Sequence, residues 1–98
     1  MRIAGVCVAV LLLCSPMAHA ESGLASYYRG IGKSGAMTCA HRSQPFGSTL
    51  RVSYRNQTIA CRVNDRGPFI RGRIIDVSTS VARALGMMGA GLVRVVVE

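Results

Sequence analysis

Carboxylates are scarce in this chain. Four acidic side chains stand against twelve basic ones in 98 residues, a formal net charge of +8 with both histidines neutral. Glu98 is the last residue and Glu21 directly follows an N-terminal apolar segment, and such positions are poorly suited to a preorganised site. Any acid chemistry therefore falls to Asp65 or Asp76. A field of one sign favours polyanions, although a basic surface also serves solubility without any ligand. Lys33 is the only lysine, so nearly all of the positive charge is arginine.

Long hydrophobic runs are missing as well. The apolar stretch from Ile3 to Leu13 is too short to span a bilayer as a helix. Arg2 precedes it, and Ser15-Pro16 and the small-x-small sequence Ala18-His19-Ala20 follow it. That order is the plan of a cleavable signal peptide, residues 1–20, with the mature chain beginning at Glu21. Leu11-Leu12-Leu13 before Cys14 is a poor context for lipid attachment. The expected product is exported, periplasmic or secreted, with no transmembrane segment after cleavage. Removal of Arg2 lowers the net charge by one and leaves the basic excess intact. An exported basic protein meets wall polymers and lipid head groups rather than nucleic acid.

Metal and redox signatures are also lacking. Cys7 and Cys14 leave with the signal, and Cys39 and Cys61 have no CxxC spacing. His41 is the only histidine after residue 20, so neither a metal nor an organic cofactor is expected. An even pair of cysteines in an oxidising compartment reads instead as a Cys39–Cys61 disulfide. Closing a loop of roughly 20 residues contributes about 3 kcal/mol in the chain-entropy description, a useful staple for so small a domain. The glycine-rich stretch Gly30 to Gly35 has the spacing of neither a Walker A motif nor a dinucleotide fingerprint.

What remains is a single small domain, residues 21–98, rich in β-formers. Gly23 to Tyr28 suits a first strand, on which Tyr27 and Tyr28 face opposite ways. Met37 to His41 reads as a short strand. Thr49 to Tyr54 and Thr58 to Val63 suggest a hairpin around Arg55-Asn56-Gln57. Ile74-Ile75 begins another strand, Ser78 caps a helix over about Thr79 to Leu85, and Gly86 ends it. Leu92 to Val97 is nearly all β-branched and is expected to be buried on both faces. Strands joined by short turns, with one late helix and no internal repeat, indicate a small closed barrel.

The centre of the chain is Cys61 to Ser78, which holds both internal carboxylates among arginines and turn residues. Its Asn64-Asp65-Arg66-Gly67-Pro68-Phe69 and Gly72-Arg73-Ile74-Ile75-Asp76-Val77-Ser78 resemble the rare lipoprotein A (RlpA) family. Gly23-Leu24-Ala25-Ser26-Tyr27-Tyr28 and Thr38-Cys39-Ala40-His41, running on to Phe46-Gly47, extend the likeness over nearly all of residues 21–98. The resemblance implies a mainly β fold, a six-stranded double-psi β-barrel with one short helix, of the kind expansins share. It also implies a lytic transglycosylase acting on peptidoglycan glycan strands, and a monomer is expected. On that reading Asp65 is the acid/base, His41 orients or polarises, and Asp76 supports the glycan groove. Tyr28, Asn64 and Arg66 are the candidate substrate-binding residues.

Competing roles accompany each assignment. Asp76 can order the start of the helix, His41 can be a structural imidazole, and Tyr28 can be a packed tyrosine. Arg62 and Arg66 favour a charged Asp65 if they point toward it, whereas burial favours its neutral form. One departure from the family pattern separates two functions: relatives carry Thr-Ala-Ser-Gly-Glu where this chain has Ile31-Gly32-Lys33-Ser34-Gly35-Ala36. With Ala36 in place of the glutamate, a non-catalytic, expansin-like wall-binding module is the alternative. An inhibitor or interaction protein on the same scaffold is a third reading, since fold does not fix function.

Overall fold

The computed structural model describes residues 20–28 and 35–98. The expected signal peptide and most of the Gly30–Gly35 loop lie outside them. Six strands follow one another as β1 (Glu21–Tyr28), β2 (Thr38–Ala40), β3 (Thr49–Tyr54), β4 (Gln57–Asp65), β5 (Arg73–Ser78) and β6 (Val93–Val97), with helix α1 (Thr79–Leu85) between the last two. They close into a barrel in the order β1-β5-β2-β4-β3-β6. Two of its seams are parallel, β1 with β5 and β2 with β4, so each needs a long connection.

Alternation builds the interior. Val52, Val63, Ile75, Val77 and Val95 are fully buried, and α1 closes the core with Val81, Ala82 and Leu85. Met87, directly after the helix, is buried as an adaptable filler. The local signals at this helix work as expected. The Ser78 hydroxyl accepts the Val81 N–H, and Gly86, at φ 79°, takes the left-handed C-terminal position with its N–H on the Ala82 and Arg83 carbonyls. At Gly23 a Cβ would fall 2.6 Å from Ile74 Cγ2, so β1 can approach β5 this closely only without a side chain.

Cys39 and Cys61 form the disulfide, which ties β2 to β4 inside the core. Two expectations need revision. The last strand alternates, with Val93, Val95 and Val97 inward and Arg94 and Val96 outward, because β6 has the lumen on one side and no second layer on the other. In the hairpin Gln57 already pairs with Tyr54, which leaves Arg55-Asn56 as the turn, with Arg55 at φ 55°.

Candidate active site

Strand pairing sets the two aspartates in one row. Ser26 on β1 lies opposite Asp76 on β5, Asp76 opposite Ala40 on β2, and Ala40 opposite Asp65 on β4. The four strands are consecutive around the barrel. The backbones of Asp65 and Asp76 thus stand two strand spacings, roughly 10 Å, apart. Ala25 and Tyr27 turn into the core, so Ser26 and Tyr28 share the outer face of β1 with this row.

The side chains confirm a common surface. The Ser26 hydroxyl donates to Asp76 Oδ1, which orients that carboxylate. Tyr28 is half-buried. Burial holds its phenol above the ordinary value of 10.0, the facing Thr38 hydroxyl opposes that shift, and the negative charges of Asp65 and Asp76 add to it. The phenol therefore sits within the field of both aspartates. Neither Tyr28 Oη nor Thr38 Oγ1 completes a well-formed hydrogen bond among the described residues, although both atoms are buried. The two hydroxyls are buried against each other, which sets the Tyr28 ring in place beside the aspartates.

Asp65 is partly exposed, and its Oδ1 accepts the Arg66 backbone N–H at 2.8 Å. Among the described residues no arginine lies within 4.0 Å of either aspartate as an ion pair. The Arg66 side chain turns the other way. Its Nη1 donates to the carbonyls of His41 at 3.0 Å and Gln44 at 2.7 Å, and its guanidinium lies 4.0 Å over the Phe46 ring. Asn64 is exposed beside Asp65.

His41 is 4% exposed and both its nitrogens are engaged within the protein. Nδ1 accepts the backbone N–H groups of Ser43 and Gln44 at 3.1 and 3.2 Å, so the proton of the neutral ring resides on Nε2, 3.0 Å from Glu21 Oε1. The His41 backbone N–H reaches the Asp65 carbonyl at 3.2 Å. The histidine thus fixes the loop after β2 and joins it to the end of β4. Its ring has no free nitrogen to offer a substrate.

The structure brings Asp65, Asp76 and Tyr28 together and sets Asn64 and Arg66 beside Asp65. Ser26, Thr38 and Glu21 were not singled out in the sequence. Period-two alternation from Tyr28 would have placed Ser26 on the same face. Glu21 was set aside as a chain-end residue, yet β1 starts at Glu21 and hydrogen-bonds to β6 there, which holds the carboxylate in place. Ala36 contributes a backbone carbonyl, which accepts the Ser78 hydroxyl at 2.8 Å, and no acid. Among the described residues no three His, Cys, Asp or Glu side chains gather into a metal-sized group, and no helix is long and apolar enough to cross a membrane.

Residues 20–97 match the sequence profile of a family described as lytic transglycolase. The chain belongs to that family. The RlpA-like domain is 50% identical over 91 residues to a Nostoc protein named probable endolytic peptidoglycan transglycosylase RlpA, covering 78% of this chain and 24% of that one. It is 39% identical over 93 residues to the Pasteurella multocida endolytic peptidoglycan transglycosylase RlpA, covering 82% of this chain and 32% of that one. It therefore spans about a quarter to a third of these curated relatives. Among solved structures, a Clavibacter michiganensis expansin in complex with cellohexaose superposes with a TM-score of 0.69 at 22% identity, over 82% of this chain and 50% of that one. That likeness establishes the double-psi β-barrel.

Proposed function

We propose that this RlpA-like domain is an endolytic lytic transglycosylase that cleaves peptidoglycan glycan strands to 1,6-anhydro ends. The observation that carries the proposal is the row of outward side chains in which Asp65 and Asp76 flank Ala40 with the Tyr28 phenol in the field of both.

In the proposed step the Asp65 carboxylic acid gives its proton to the glycosidic oxygen as the bond from that oxygen to the anomeric carbon breaks. The C6 hydroxyl of the same sugar attacks the electron-poor anomeric carbon and forms the anhydro ring. Its proton returns to the Asp65 carboxylate, so one carboxyl serves as acid and then base and no water is consumed. Asp76, oriented by Ser26, supports the groove and faces the developing positive charge. The half-exposed Tyr28 ring, backed by Thr38, lines the path of the sugar, and Asn64 and Arg66 lie where the strand passes Asp65. His41 acts as a positioning residue through the loop that it fixes. The domain acts as a monomer, exported to the periplasm or beyond after loss of residues 1–20.

A specific observation favours a second reading. Where the family resemblance leads one to expect a glutamate this chain has Ala36, and only its carbonyl takes part in the site's framework. On that reading the domain holds glycan without cutting it. Mass spectrometry of soluble products from denuded glycan strands separates the two. Anhydro-ended fragments that vanish with Asp65→Asn support the transglycosylase. Strands retained by the protein but left intact support the binding module, and cleavage that survives Asp65→Asn overturns the assignment of the acid.

A further inference from the structure

The chain has two phenylalanines and spends neither on its core. Phe46 is 61% exposed, Phe69 is 74% exposed, and Ile70 beside it is 57% exposed. A barrel interior filled with valine, isoleucine and alanine would gain by burying such rings, so their place on the surface calls for another reason. Both rings rest on consecutive residues. Phe46 is stacked against the Arg66 guanidinium, and the Phe69 ring lies 3.5 Å from where a Cβ on Gly67 would stand. Gly67 is at φ 120°, a backbone conformation that favours glycine, and the Phe69 ring packs over it at van der Waals distance.

The support beneath these rings is rigid. Arg66 is pinned by the carbonyls of His41 and Gln44, and the loop carrying those carbonyls is pinned by His41 Nδ1. Phe46 therefore presents one face to a fixed cation and the rest of its surface to solvent. The whole group follows directly on Asp65 at the end of β4 and on Ala40 at the end of β2, strands that run parallel and finish at the aspartate row. The loops that follow both strands therefore start at the aspartate row.

We propose that Phe46 and Phe69, set on Arg66 and Gly67, form an aromatic platform that stacks pyranose rings of a glycan strand beyond the Asp65–Asp76 row. Sugar rings offer flat faces of C–H bonds to an aromatic surface while their hydroxyls stay in water, and the exposed charges of Arg66, Arg71 and Arg42 suit the carboxylates carried by a wall polymer. The inference rests on the glycan reading above and adds where the strand is gripped.

The test is binding of end-labelled, denuded peptidoglycan glycan strands to residues 21–98, followed by fluorescence anisotropy, with thermal melting as the check on folding. Both rings are exposed, so Phe46→Ala/Phe69→Ala should melt with the parent. The expected result is an affinity loss of about tenfold for the double variant that high salt does not erase, with binding retained in Phe46→Tyr/Phe69→Tyr. Equal affinity of parent and double alanine variant overturns the platform and leaves the glycan reading standing. No strand binding by the parent overturns the glycan reading and the platform with it.

Discussion

Tyr28 is the residue whose surroundings tie the two aspartates to a measurable property. Its phenol is raised from 10.0, chiefly by burial. The folded form therefore holds the phenolic proton more tightly than the unfolded chain does. That contribution to stability is fully present below pH 10 and is lost as pH rises through the folded value. An alkaline absorbance titration is expected to show one late component that Tyr28→Phe removes, and the variant should lose less stability above pH 10 than the parent. Glu21 makes a second residue-level prediction. Glu21→Ala leaves the buried His41 Nε2–H without its acceptor and should cost about 1 kcal/mol or more in denaturant unfolding, whereas Glu21→Gln keeps an acceptor oxygen and should cost less. Glu21 was the clearest omission of sequence reasoning. Its partner is 20 residues away in the loop after β2, and no local pattern announces such a pair.

Among the elements, α1 was the most legible because its signals are local. Ser78, the apolar positions Val81, Ala82 and Leu85, and Gly86 lie within one short stretch and each does what its type favours. Ser78 also does more than a cap, since its hydroxyl accepts the Thr38 N–H at 3.3 Å and donates to the Ala36 carbonyl. Ser78→Ala removes all three contacts and should destabilise by about 2 kcal/mol, beyond the usual ~1 kcal/mol of an N-cap, as chemical denaturation would show. The β6 strand was misjudged because a run of valines reads alike whether a second layer covers it or not. Its neighbours decide, and β1 and β3 leave its outer face open.

For the molecule as a whole, β-rich runs joined by short turns pointed to a small barrel, but its strand order is non-local. Parallel seams between β1 and β5 and between β2 and β4 came within reach only through the likeness of the Asp65 and Asp76 segments to a known family. The buried disulfide spans the second of these seams. Replacing Cys39 and Cys61 together by alanine is expected to cost about 3 kcal/mol from the freed loop, plus the packing lost in the core, read as a lower thermal midpoint. The basic excess predicts that binding to purified sacculi weakens as salt rises, and co-sedimentation across a salt series measures this.

The ladder between β1 and β6 carries one more consequence. Glu21 pairs with Val97, so the polypeptide enters and leaves the barrel at neighbouring points. Cross-strand partners of this kind lie about 5 Å apart. A unit with adjacent entry and exit can sit within a host loop without prising that loop open. The same arrangement lets the barrel be rewired: a short bridge from Val97 to Glu21 and a new opening at Arg55-Asn56 would keep every strand beside its present neighbours.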